Sequence, residues 1–199
     1  MNVAVVDLRL GNLGSVMQAL RRAGGEPALI TDPAAIDRAP RVILPGVAAF
    51  GLGMERAAPF KGALQSALAR GAPVLGICLG MQLLFQEGDE DGTREGLGLL
   101  PGRVTRLPSG VPVPHIGWQK LETTSSSALQ PAGWAYFAHS YRCEAPGEVT
   151  QAVVQHGPVR IAAVVGRGGL FGVQYHPEKS AQDGEALLRR FLSLPGAAA

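Results

Sequence analysis

Cysteine is scarce in this sequence, and long apolar runs are absent. Cys78 and Cys143 are the only cysteines among 199 residues, too few for the disulfide framework of a small secreted domain. No segment reaches the roughly 18 apolar residues that a membrane-spanning helix requires. The first residues also lack the basic start of a signal peptide. We therefore expect a reducing, cytoplasmic location and no membrane partner.

Charged side chains are few, and their signs nearly cancel. The 18 basic and 16 acidic residues leave a net charge of +2, which does not indicate a nucleic-acid partner. The acidic stretch at residues 87–95 lacks the alternating ligands of a calcium loop and is interpreted as an exposed loop. Cysteine and histidine spacings do not fit a zinc site either, so we expect no metal.

Short apolar strands alternate with helical stripes over the first half of the chain. The strands are predicted at residues 3–7, 27–30, 42–44 and Val74–Cys78. The stripes are formed by Leu13, Val16, Met17 and Leu20 and by Phe60, Ala63, Leu64 and Ala67. This alternation predicts an α/β fold with a central, mostly parallel sheet and helices on both faces.

From residue 97 onwards, short β-type segments are separated by glycine and proline. They cover residues 103–107, 118–121, 134–137, 149–156, 161–165 and 170–175, and an amphipathic helix at 185–194 closes the chain. We expect these strands to extend the sheet in an antiparallel or mixed arrangement. Because no linker divides the chain, residues 1–199 are predicted to form one domain.

Cys78 lies where the apolar strand Val74–Cys78 meets a segment of helical spacing. Gly76 and Gly80 flank the cysteine at two residues on either side, and their missing side chains allow a sharp strand-to-helix turn. The unpaired N–H groups at the start of a helix favour a thiolate. The pattern is typical of a nucleophile elbow, with a buried structural cysteine as the alternative interpretation.

A cysteine nucleophile requires a base, and four histidines are available. Structural roles are predicted for the three that lack a nearby carboxylate, namely His115, His139 and His156. His176 is followed by Pro177 and Glu178, and proline pushes the residue before it into an extended conformation. Residues two apart in an extended segment point the same way, so Glu178 can reach the His176 ring and fix its tautomer. We predict a catalytic triad of Cys78, His176 and Glu178.

Six segments carry a resemblance to a known family. They are residues 7–16 (DLRLGNLGSV), 44–51 (LPGVAAFG), 76–82 (GICLGMQ), 114–118 (PHIGW), 136–141 (YFAHSY) and 172–180 (GVQYHPEKS). The elbow and the His-Pro-Glu segment resemble those of class I, triad-type glutamine amidotransferases, which have a flavodoxin-like fold. The other segments make nearly the whole chain similar to the glutaminase subunits of imidazole glycerol phosphate synthases. Ala48 departs from the glycine that many relatives carry, and Leu8 replaces a usual aromatic residue.

The resemblance implies a cysteine-based hydrolysis of glutamine without a cofactor. Cys78 is expected to attack the side-chain amide and form a glutamyl thioester. His176 is expected to protonate the departing ammonia and then to activate water, with Glu178 orienting His176. The implied oxyanion donors are the N–H groups of Gly46, Val47 and Leu79. The implied glutamine-binding residues are Gln82, Ser140 and Tyr141, and Asn12 is expected near the oxyanion strand or the partner surface.

The resemblance also implies a partner chain. Free ammonia is mostly protonated at neutral pH and must be delivered under cover, and the amidotransferase pattern takes up all 199 residues. The expected partner is a cyclase subunit with a (β/α)₈ barrel, which forms a heterodimer with this chain. Together they would make imidazole glycerol phosphate and aminoimidazole carboxamide ribonucleotide in histidine biosynthesis.

Two alternatives remain open at this point. The first is the glutaminase subunit of another synthase, for anthranilate, aminodeoxychorismate or pyridoxal phosphate. The second is a non-catalytic binding module on the same fold, which predicts no glutamine turnover even when a partner is present.

Overall fold

The computed structural model describes residues 1–11 and 13–196, so Asn12 lies outside the described residues. Strands β1–β7 are Asn2–Val6, Glu26–Ile30, Val42–Gly46, Val74–Cys78, Glu87–Gly88, Arg94–Glu95 and Arg103–Arg106. Strands β8–β14 are His115–Lys120, Glu122–Thr123, Trp134–His139, Tyr141–Glu144, Thr150–His156, Val159–Arg167 and Leu170–Val173. Helices α1–α5 are Leu13–Arg22, Phe50–Ala57, Lys61–Ala69, Leu79–Leu83 and Ala181–Ser193. Within the described residues, no helix is long and apolar enough to cross a membrane.

The central sheet has eight strands in the order β2-β1-β3-β4-β14-β13-β12-β9. Strands β2, β1, β3, β4 and β14 are parallel, and β13, β12 and β9 continue the sheet in antiparallel fashion. The predicted mostly parallel sheet is thus confirmed. Strand β14 comes last in the chain but lies beside β4 in the middle of the sheet. The segment that precedes His176 is therefore placed next to the strand that ends at Cys78.

The parallel strands β1, β3, β4 and β14 are buried on both faces because helices cover each side, whereas the edge strand β2 is mostly exposed. Val3 and Val5 of β1 lie in one core with α1 and α5, whereas Ala4 and Val6 lie in a second core with α2, α3 and α4. Successive side chains of a strand point to opposite faces, so a strand buried on both sides is a continuous apolar run. That is the pattern from which these strands were predicted.

The second half of the chain differs from the prediction in one respect. Only β9 and β12–β14 join the central sheet, whereas β8 and β10 form a separate two-stranded ribbon, and β11, β7, β5 and β6 form a separate four-stranded sheet. The predicted antiparallel extension of the central sheet is confirmed for β9, β12 and β13, whereas the other β-type segments of this half form sheets of their own. Helix α2, with two glycines in the sequence FGLGMERA, and strand β11 were not predicted, because neither shows a clear periodicity.

Candidate active site

The nucleophile elbow is formed where β4 ends and α4 begins. Cys78 has φ 53° and ψ −110°, a backbone conformation that side-chain-bearing residues rarely adopt. Such a conformation costs about 1–3 kcal/mol and persists only where the surrounding structure enforces it. Leu79 is the first residue of α4, so its N–H has no partner within the helix.

The two flanking glycines are required by close backbone contacts. A Cβ on Gly76 would lie 2.6 Å from the carbonyl oxygen of Gly80, and a Cβ on Gly80 would collide with the carbonyl oxygen of Leu44. Both glycines therefore let α4 turn directly over the ends of β3 and β4, which explains the Gly-x-Cys-x-Gly spacing.

His176 follows β14, whose residue Val173 is in register with Ile77 of β4. Its backbone is extended, with φ −100° and ψ 96°, as the following proline predicts. The His176 N–H donates to the carbonyl of Tyr136 at 2.9 Å, and the His176 carbonyl accepts from the Ser180 hydroxyl at 2.6 Å. These two bonds fix the backbone from which the imidazole extends.

Glu178 contacts the imidazole of His176 as predicted, at 2.9 Å between Nδ1 and Oε1. The geometric reason is different, because Glu178 lies in a turn of 3₁₀ helix, Pro177–Lys179, and not in an extended segment. A carboxylate can only accept, so Nδ1 carries the proton and Nε2 is left for Cys78. Burial lowers the pKa of His176, but the interactions with Cys78 and Glu178 outweigh it and raise this pKa well above its usual value.

The predicted oxyanion residues lie beside the nucleophile. Gly46 ends β3 and is in register with Cys78 across the β3–β4 pair. Val47 and Leu79 line the same cleft as Cys78. Gly46 and Val47 also line a smaller cavity together with His176 and Glu178. The roles of these backbone groups remain a prediction.

The predicted glutamine-binding residues meet in one cleft of about 520 Å³. Gln82, Ser140 and Tyr141 line it together with Cys78. Three charged residues that the sequence reasoning missed also line this cleft, namely Glu90, Asp91 and Arg106. The guanidinium of Arg106 lies 5.9 Å above the ring of Tyr141.

Glu90 and Asp91 belong to the acidic stretch that was interpreted as an exposed loop. The stretch is a small hairpin of β5 and β6, and Glu90 is half-buried. Its Oε2 accepts the N–H of Phe50 at 2.6 Å and caps the start of α2, where Ala49 offers no capping side chain. The sequence signal that could have identified Glu90 is its position shortly after α4, the helix that follows Cys78. A turn of the chain there can bring its carboxylate back toward the nucleophile.

The other three histidines form a buried cluster. His115 Nδ1 lies 2.9 Å from His139 Nε2, and the centroids of the His115 and His156 rings are 4.2 Å apart with the rings tilted by 32°. Burial and the neighbouring His156 lower the pKa of His115 to about 4, and burial is the main cause that lowers the pKa of His139 to about 3. No group of metal-ligating side chains is found among the described residues.

Comparison with known families is consistent with this geometry. The family model described as "Glutamine amidotransferase class-I" matches residues 4–194. The chain belongs to this family. Several similar curated proteins carry the name imidazole glycerol phosphate synthase subunit HisH.

The HisH of Symbiobacterium thermophilum is 49% identical over 193 residues, covering 94% of this chain and 91% of that protein. The HisH of Halobacterium salinarum is 44% identical, with 96% of this chain and 92% of that protein covered. This amidotransferase therefore belongs to the HisH group. A structure described as PurLQS from Thermotoga maritima shares its fold, with a TM-score of 0.75 at 22% identity over 96% of this chain and 97% of that one.

Proposed function

We propose that this protein is the glutaminase subunit of an imidazole glycerol phosphate synthase, with Cys78 as nucleophile. The Sγ thiolate attacks the side-chain carbonyl carbon of glutamine, and the resulting oxyanion is stabilised by N–H groups of Leu79 and of the Gly46–Val47 segment. Collapse of this intermediate breaks the C–N bond and leaves a glutamyl thioester. Water then attacks the thioester, and glutamate leaves as the thiolate is restored.

His176 carries the proton through both halves of the reaction. Its raised pKa holds it as an imidazolium beside the thiolate, so Nε2 has a proton for the departing ammonia. The neutral imidazole then takes a proton from the attacking water. The bond of 2.9 Å from Nδ1 to Glu178 is the observation that carries this proposal, because it fixes the tautomer that the reaction needs.

The charged residues of the cleft support an amino-acid substrate. Glutamine carries an α-ammonium and an α-carboxylate besides its amide. Glu90 and Asp91 offer carboxylates for the ammonium, and Arg106 offers a guanidinium for the carboxylate. Gln82, Ser140 and Tyr141 are proposed to contact the substrate between these charges.

The proposed partner is a cyclase subunit with a (β/α)₈ barrel, which forms a heterodimer with this chain and receives the ammonia. The exposed apolar face of the β8–β10 ribbon supports a docking surface. Trp118 and Trp134 share this face with Ile116 and are 47%, 52% and 61% exposed. Ile116 also lines the cleft that contains Cys78, so a partner on the ribbon would cover the active site. Two free, buried cysteines support a cytoplasmic location.

The test is glutamate release from glutamine, measured for the subunit alone and with the cyclase subunit of an imidazole glycerol phosphate synthase. We expect turnover that depends on Cys78 and rises when the cyclase is present. Turnover that rises with an anthranilate or aminodeoxychorismate synthase subunit and not with the cyclase would assign the chain to another synthase. Absence of turnover with every partner would contradict an enzymatic role.

A further inference from the structure

Gln174 is a buried amide with no role in the chemistry described so far. It is 0% exposed and lies directly after β14, where its N–H donates to the carbonyl of Ala163 at 2.9 Å. Gln174 and Tyr175 form a bend, in which Tyr175 is buried in the apolar core and the Gln174 side chain contacts Gln82 of α4. A buried amide destabilises a protein unless its polar atoms are hydrogen-bonded, so the partners of Gln174 are informative.

The orientation of the Gln174 amide follows from its neighbours. Gln82 Nε2 lies 3.2 Å from the carbonyl oxygen of Tyr141 and 3.2 Å from Gln174 Oε1. A carbonyl oxygen can only accept, so Gln82 must present its NH₂ group there and donate its second N–H to Gln174. Gln174 must therefore present oxygen to Gln82.

Its NH₂ group is consequently directed at the nucleophile. Gln174 Nε2 lies 3.9 Å from Cys78 Sγ, and both groups are buried. His139 Nδ1 approaches the same Tyr141 carbonyl at 2.8 Å, so this oxygen accepts from two donors. The backbone carbonyl of Tyr141 thus sets the direction of a chain of hydrogen bonds that ends as a donor to sulfur.

We propose that Gln174 is a further catalytic residue, whose side-chain N–H stabilises the Cys78 thiolate while its oxygen fixes the Gln82 amide for substrate binding. A side-chain amide suits this position for two reasons. Its N–H donates to sulfur without adding a charge to the site, and the amide cannot accept the proton that His176 carries. With both N–H groups of Gln82 occupied, the oxygen of Gln82 is left to accept from a bound substrate. The inference deepens the proposed glutaminase function and rests on it.

The test measures thiolate reactivity and not glutamine turnover, so that it can fail separately from the proposed function. The isolated subunit is treated with iodoacetamide between pH 5 and 9, about the range in which thiols with nearby charges titrate, and alkylation at Cys78 is counted by mass spectrometry. In Gln174→Met, which keeps the shape but removes the donor, we expect alkylation at pH 7 to slow about tenfold, the size expected for one hydrogen bond to a charged group. The pH at which the alkylation rate reaches half of its maximum should increase in this variant. Gln155→Met, an exposed site on strand β12 of the same sheet, should match the unaltered protein.

An alkylation profile of Gln174→Met that matches the unaltered protein, in a variant that melts cooperatively, would overturn the proposal. If this variant does not fold, Gln174→Glu keeps the acceptor for Gln82 but places a carboxylate at the sulfur, and alkylation should slow further. The unaltered protein gives an independent measurement. The side-chain amide NMR signal of Gln174 should shift over the pH range in which Cys78 alkylation rises, and a signal that does not move also overturns the proposal.

Discussion

The α-carbon of Gly80 faces the carbonyl oxygen of Leu44 so closely that no side chain fits between them. Gly80→Ala must therefore push α4 away from β3, and we expect it to lower the free energy of unfolding by about 3 kcal/mol. Any folded fraction should also lose glutaminase activity, because Cys78 and Leu79 move with the helix. Urea denaturation and glutamate release measure the two effects.

Gly62→Ala is the matched control for this substitution. Gly62 lies in the exposed part of α3, and a Cβ there meets no atom within 4 Å. Replacing a helical glycine by alanine stabilises by about 1 kcal/mol. A Gly80→Ala variant as stable as Gly62→Ala would contradict the close contact.

Cys78→Ala should abolish glutamine hydrolysis, with a loss of about a thousandfold or more. The complex with the cyclase should still use added ammonium salts, because the acceptor reaction needs ammonia from any source. Glutamate release and product formation are measured in parallel. Loss of the ammonium-driven reaction as well would mean that Cys78 has a structural role.

His176→Ala should lose as much glutamine hydrolysis as Cys78→Ala, whereas Glu178→Gln should lose less. The side-chain amide oxygen that this variant places at position 178 can still accept a hydrogen bond from His176 Nδ1. Because the amide has no negative charge, it no longer stabilises the imidazolium. The measurement is kcat for glutamate release at several pH values. A Glu178→Gln variant with the unaltered rate would remove Glu178 from the triad.

Hydrolysis should be slow in the isolated subunit and rise when the cyclase holds its own substrate. Rotation of the Gly46–Val47 peptide beside Cys78 would supply or withdraw an oxyanion donor, worth about 10²- to 10³-fold in rate. Gly46→Pro removes one N–H and restricts the backbone, so the increase should be lost. Full activity of the isolated subunit, unchanged by cyclase or ligand, would contradict gating.

Acid should destabilise the protein through the buried histidine cluster. His115 and His139 have pKa values of about 4 and about 3 in the folded chain, against an ordinary value near 6.5 when unfolded. Below about pH 6.5 the unfolded chain therefore binds more protons, and stability falls with decreasing pH until both histidines are also protonated in the folded chain, near pH 3.

The histidine contribution can be isolated by substitution. His115→Asn keeps a donor for His139 but does not titrate, so it should reduce the slope of unfolding free energy against pH by about 1.4 kcal/mol per unit between pH 6 and 5. Urea denaturation at these two pH values measures it. Equal slopes for variant and unaltered protein would show that His115 is already protonated in the folded state.

Elements with a clear apolar pattern could be predicted from the sequence. Strand Val74–Cys78 was predicted with its observed bounds, and the contact between His176 and Glu178 was predicted from their spacing. In both cases the determining interactions are local, or follow from burial on two faces. The strand order is not local, yet parallel pairing of strands joined by helices also follows from the alternation.

The charged part of the cleft could not be predicted. Glu90 reaches the active site only because β5 and β6 form a hairpin whose carboxylate caps α2, an element that the sequence pattern did not reveal. The amide direction of Gln174 likewise depends on the carbonyl of Tyr141, whose position is set by pairing of β11 with β7. Such contacts join distant segments through single hydrogen bonds, which leave no periodic trace in the sequence.

The position of β14 has a consequence for biosynthesis of the chain. Gln174 and Cys78 are 96 residues apart, and the strand that brings them together is inserted between β4 and β13. On the ribosome, the nucleophile is made long before the segment that carries its base. A nascent chain that ends before β14 holds Cys78 without His176, so hydrolysis of cellular glutamine cannot begin until the sheet has been completed.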